Sequence, residues 1–150
     1  MKGEFKVFLL TYDIYMSEEK MKEILPQAQI EMKCLLNSYE LKFFKQVLGL
    51  IKSDKDMCVP AVIWSIEEND IVKIEEVYHK ESYDKSYFHI KIDDKYVNDD
   101  ILTAVYIPKN TATMLPTNEY IEDIIKAYEE NNFDFYCIEC ALDNAEQERR

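Results

Sequence analysis

The chain has 150 residues, with 18 Lys and Arg against 30 Asp and Glu, and a formal charge of −12. This length buries a real core as one domain over residues 1–150, while the negative balance repels phosphate backbones, so direct nucleic-acid binding is excluded and a basic protein partner is favoured. The two glycines, Gly3 and Gly49, build no phosphate-cradling loop; no apolar run reaches the ~18 residues of a membrane span, and Met1-Lys2-Gly3-Glu4 lacks a signal-like apolar stretch, so a cytoplasmic protein is expected.

Phe5 to Thr11 is an apolar run broken by one lysine, which predicts a central strand ending in a turn at Tyr12-Asp13-Ile14-Tyr15. Ser17, with Glu18 and Glu19 behind it, predicts a short helix: the hydroxyl caps free amides, the carboxylates suit the positive end of the dipole, and Pro26 ends it. Ala28 to Gln46 reads as two strands with a turn at Asn37-Ser38. Leu48 to Met57, rich in charge around Lys52-Ser53-Asp54-Lys55-Asp56, reads as an exposed loop. Val59 to Ile66 then forms a buried strand around Trp64, and Glu67 to Val77 a helix with Ile71, Ile74 and Val77 on one side.

Tyr87 to Ile92 alternates strictly, placing Phe88, Ile90 and Ile92 on one face and Tyr87, His89 and Lys91 on the other. Asp93-Asp94-Lys95 offers a turn, Ile101 to Ile107 a partner strand, and Pro108 to Pro116 a loop. Thr117 caps an amphipathic helix carrying Ile121, Ile124, Ile125 and Tyr128, stopped by Asn131-Asn132. A last helix starts near Asp134, and Asp143 to Arg150 has little to bury and is expected to fray. This order predicts an α+β domain with a small curved sheet, antiparallel or mixed, or a barrel, flanked by helices.

Four cysteines are too few for a disulfide scaffold. Cys137 and Cys140 are spaced i, i+3 in a helical apolar pattern, which suits core packing, and Cys34 and Cys58 supply no second pair at metal-ligand spacing, so no cofactor or metal is expected. His79 and His89 have no nucleophile beside them and read as structural or surface residues.

Three segments in order resemble the γ-glutamyl cyclotransferase-like family: Phe8-Leu9-Leu10-Thr11-Tyr12-Asp13-Ile14-Tyr15-Met16, then Val62-Ile63-Trp64 leading into Ile74-Glu75-Glu76, then Leu115-Pro116-Thr117-Asn118-Glu119-Tyr120. The resemblance spans residues 6 to 136. It implies a loop of the form Tyr-Gly-Ser-Asn after the first strand, whose amides hold the carboxylate of a γ-glutamyl group, with Tyr12, Met16 and Pro26 matching. The Gly, Ser and Asn positions hold Asp13, Ile14 and Tyr15. Asp13 adds a Cβ and a negative charge where an anion is expected, which weakens that binding mode.

The resemblance also implies a glutamate that takes a proton from the substrate α-amine, so that the amine attacks the γ-carbonyl and closes 5-oxoproline. Counted from Trp64, that glutamate falls on Tyr78, whose phenol, with an ordinary pKa near ~10, is a poor base at neutral pH. Glu75, Glu76 and Glu81 lie nearby as substitute carboxylates, and Tyr12 and Tyr87 match tyrosines that line the pocket. The expected function is a relative that has lost 5-oxoproline formation and acts as a binding or interaction protein. The alternatives are an active cyclotransferase on γ-glutamyl amino acids or amines using a relocated carboxylate, and an acidic decoy of a nucleic-acid-binding protein, for which Glu67-Glu68-Asn69-Asp70, Asp93-Asp94 and Asp99-Asp100 supply charge.

Overall fold

The computed structural model describes residues 6–91 and 100–149. In chain order the elements are β1 (Lys6–Thr11), α1 (Glu18–Ile24), β2 (Gln29–Asn37), β3 (Tyr39–Phe44), β4 (Val47–Lys52), β5 (Cys58–Glu67), α2 (Ile71–Val77), β6 (Tyr83–Lys91), β7 (Asp100–Pro108), α3 (Asn118–Glu130) and α4 (Tyr136–Arg149). Short 3-10 turns, Ile14–Met16 and Glu68–Asp70, precede α1 and α2. The architecture is α+β, as expected. Its main sheet has the order β2-β5-β1-β7-β6, with β1 and β7 parallel and the other neighbours antiparallel, and β3 and β4 form a separate hairpin. The sheet is mixed and does not close into a barrel.

Local sequence explains most of these elements. Every residue of β5 from Val59 to Ile66 is buried, because both faces are covered, so the strand reads as a continuous apolar run. β6 alternates between part-buried and exposed positions from Tyr83 to Lys91 apart from Asp84-Lys85, as a strand with one wet face does. Trp64 Nε1 donates to Thr11 Oγ1 at 3.0 Å and the Thr11 hydroxyl donates to the Val62 carbonyl at 3.2 Å, fixing β1 against β5 at the point where β1 delivers its chain to the site. The Ser17 hydroxyl accepts from the Lys20 N–H and the Thr117 hydroxyl from the Tyr120 N–H, so both predicted caps form.

Several expectations are corrected. The stretch from Leu48 is not a loop: β4 occupies Val47–Lys52 with Leu48, Gly49 and Leu50 buried, and only residues 53–57 form the loop. Gly49 is required there, since a Cβ on it would collide with the Phe44 ring. Lys45 and Gln46, both with positive φ (47° and 70°), make the two-residue turn of this hairpin. The segment from Asp143 does not fray within the described residues: α4 runs to Arg149, buries Ala145 and packs against β3. The helix expected from Glu67 starts as a 3-10 turn and becomes α-helical at Ile71. Ile92, the Asp93-Asp94-Lys95 turn and Asp99 lie outside the described residues. None of the described helices is long and apolar enough to cross a membrane.

Candidate functional site

The end of β1 runs into a turn that the rest of the fold holds in place. Asp13 caps the 3-10 turn, its Oδ1 accepting from the Tyr15 N–H at 3.1 Å. Asn131, at the end of α3, donates from Nδ2 to the Met16 carbonyl at 3.1 Å and to the Ala127 carbonyl at 2.8 Å, and Glu130 accepts from the Glu18 N–H at 2.8 Å. The turn is therefore fixed before any ligand arrives.

Tyr78 meets it from the other side. This residue ends α2, its N–H bonded to the Ile74 carbonyl, and its backbone leaves the helix so that the ring enters the core. The ring stacks on Tyr106 (centroids 5.0 Å, planes 5° apart) and takes the edges of Tyr83 at 5.0 Å and Tyr15 at 5.8 Å. Its hydroxyl donates to Asp13 Oδ2 at 2.7 Å, a bond buried among these rings. Both carboxylate oxygens of Asp13 are engaged, and no ligand group fits between Asp13 and Tyr78.

Burial raises the Asp13 pKa above its ordinary 3.8, although the bonds from Tyr78 and the Tyr15 N–H pull it back. Burial first, and the adjacent Asp13 charge second, push Tyr78 well above 10, so its phenol stays protonated at neutral pH and acts as a donor. Tyr12 is buried as well and donates to the Tyr106 carbonyl at 2.8 Å, which ties the turn to β7. Tyr120 accepts from the Leu48 N–H at 3.1 Å, and burial first, then the Asp13 charge, push its pKa well above 10.

Beside this closed centre lies a groove of about 550 Å³, lined by Tyr78, Tyr83, Tyr106, Glu75, Lys85, Glu81 and others. Tyr106 donates its hydroxyl to Glu75 Oε2 at 2.8 Å, and Lys85 Nζ stands 3.2 Å from the same oxygen. The bond from Tyr106, then the one from Lys85, holds the Glu75 pKa below its ordinary value, so this carboxylate stays ionised and is a weak proton acceptor.

The residues singled out in the sequence therefore separate. Tyr12, Asp13, Tyr15 and Tyr78 converge, with Ile14 part-buried in the turn beside them. Glu81 reaches only the outer groove, Glu76 is exposed and does not line it, and Tyr87 is 58 % exposed on β6, with Lys85 Nζ 5.5 Å from its ring centroid. His79 and His89 are exposed. Tyr83, Tyr106 and Lys85, which complete the groove, carry no local signal beyond the alternation of their strands. Cys137 is buried against Tyr128, with the hydroxyl and Sγ 3.1 Å apart, and burial pushes its thiol up to about 11.

No protein-family model matches the sequence, and no curated protein matches it significantly. Solved structures do. A γ-glutamyl cyclotransferase superposes with a TM-score of 0.75 at 16% identity, covering 95% of this chain and 86% of that one. An uncharacterized protein from Homo sapiens gives 0.70 at 17% identity over 84% and 80%. An AIG2-like protein from Mus musculus gives 0.54 at 15% identity over 77% and 82%. Together with the β1 turn and its facing α2 terminus, these likenesses establish that the chain has the γ-glutamyl cyclotransferase-like fold.

Proposed function

We propose that this chain has lost the 5-oxoproline-forming reaction of its structural relatives and works as a binding protein. One observation carries the reading: the Tyr78 hydroxyl donates to the Asp13 carboxylate at 2.7 Å inside the core. Where the resemblance implies a glutamate that accepts a proton, this chain presents a phenol that gives one. Where it implies free amides for a carboxylate, this chain supplies its own carboxylate. The internal Asp13 side chain thus takes the place of a substrate anion, and like charge excludes a second one.

Glu75 is a carboxylate of the groove, and its engagement by Tyr106 and Lys85 opposes use as a base. The groove still offers Lys85, Tyr83 and Glu75 to a small molecule bearing both charges, such as a γ-glutamyl compound that binds without being turned over. The test is an assay for 5-oxoproline from γ-glutamyl amino acids and γ-glutamyl amines, run on the purified chain and on its Glu75→Gln and Asp13→Asn variants. No release above the uncatalysed rate is expected from any of the three. Turnover by the parent chain that falls a hundredfold or more in either variant, on the order of what a lost general base costs, would refute the proposal.

A further inference from the structure

The two edge strands of the main sheet are β2 and β6. The curl of the sheet brings them to opposite walls of one groove of about 460 Å³, lined by Cys34 to Asn37 of β2 and Tyr87 to Lys91 of β6. Just beyond β2, Tyr39 packs on Phe88 with ring centroids 5.2 Å apart, bridging the seam at one point. Among the described residues, no strand pairs with the outer side of either edge.

Both walls therefore offer the same chemistry. Along each edge strand, alternate residues turn their N–H and C=O outward. β2 runs antiparallel to β5, β5 to β1 and β6 to β7, while β1 and β7 are parallel, so β2 and β6 run in opposite directions. An added strand would lie antiparallel to one wall and parallel to the other. Of the side chains facing inward at the seam, Leu36 is buried, while Cys34, Phe88 and Ile90 are only part-buried, whereas Val62, Ile63 and Trp64 on β5 have no exposure. Facing outward, Leu35 and Tyr87 are each 58 % exposed.

Charge narrows the occupant. On a chain of −12, this groove is lined, among the described residues, by His89 and Lys91 and by no carboxylate. We infer that the β2–β6 seam receives an extended peptide segment of a partner protein, with apolar side chains at alternate positions facing Phe88 and Ile90, and carboxylates between them facing His89 and Lys91. Backbone bonds to both edges supply affinity, and the period of two supplies register. This seam is separate from the Asp13–Tyr78 centre, so the inference stands or falls independently of the catalytic reading.

The test uses a terminally blocked, fluorescently labelled eight-residue peptide alternating valine and glutamate, titrated into the full chain by anisotropy with amide hydrogen exchange read in parallel. Saturable binding is expected, with exchange slowed in both β2 and β6. Methylating alternate backbone nitrogens of the peptide should weaken binding about tenfold or more, since it removes several backbone bonds at once. Replacing its glutamates by lysines, or introducing His89→Glu with Lys91→Glu in the chain, should weaken it in the same direction, with circular dichroism showing that the variant keeps its fold. Absent binding, slowed exchange elsewhere, indifference to backbone methylation, or a dimer that protects the two edges without peptide would each overturn the inference.

Discussion

Asp13 is a carboxyl group enclosed by aromatic rings, and its protonation is coupled to folding. In the unfolded chain it ionises near 3.8, whereas burial delays ionisation in the fold. The associated stability is complete below 3.8 and is lost as pH rises through the higher folded value. Asp13→Asn, which cannot ionise, is therefore expected to gain stability relative to the parent chain as pH rises from 3.5 to 7. Urea unfolding across that range measures it, and a difference independent of pH would contradict the raised Asp13 pKa. At this scale the sequence marked positions 13 and 78 separately, each as a departure from the pattern it resembles. That the two departures bond to each other across 65 positions was not legible, because nothing local in either segment specifies a partner so distant. The neighbouring Tyr83 and Tyr106 were missed for the same reason: strand alternation says that a ring lies on a face, without saying which helix end it meets.

The β3–β4 hairpin shows what composition hides at the level of an element. Leu48-Gly49-Leu50-Ile51 is an apolar run of strand length, yet the charges of residues 52–56 behind it dominate a reading by composition, and the run merges into the loop. The structure separates them, with Leu48 and Leu50 buried and Gly49 opposite Lys42. Gly49 follows from close packing: its missing side chain is filled by the Phe44 ring, and Phe44 is itself buried. Gly49→Ala is expected to destabilise the fold by about 1–3 kcal/mol, the usual cost of overpacking, read as a lower urea midpoint with unchanged slope. A neutral outcome would mean that Phe44 is free to swing aside. The charges of α4's last turns hide its end in the same way. Ala141 and Ala145, one turn apart, give it a narrow buried stripe that small side chains signal weakly.

Across the whole molecule, the fold class followed from element order, and the resemblance carried the architecture further than periodicity could. Strand order did not follow, because the parallel pairing of β1 with β7 joins Phe8 to Thr103 and Leu9 to Ala104, far apart in the chain, and depends on nothing in either strand alone. The same long-range assembly gathers tyrosines from the turn after β1, the end of α2, β6 and β7 around one carboxylate. Burial pushes Tyr12, Tyr78 and Tyr120 well above 10 and Tyr83 up to about 12. Because these folded values exceed those of the unfolded chain, their stability is full below pH 10 and is lost as pH rises beyond it. The chain is expected to unfold cooperatively in alkali, with tyrosinate absorbance from the buried rings appearing together with loss of structure. Full tyrosine titration near pH 10 in a chain that stays folded would contradict the buried cluster.

The pairing of Asp13 with Tyr78 is tested most directly by carbon-13 NMR of the Asp13 carboxyl followed through pH in the parent chain and in Tyr78→Phe. The bond from the phenol favours the ionised form, so the account predicts an Asp13 midpoint above 3.8 that moves further up when the hydroxyl is removed. An Asp13 midpoint at the ordinary value, unmoved by Tyr78→Phe, would mean an open and hydrated carboxylate, and the closed centre would not exist.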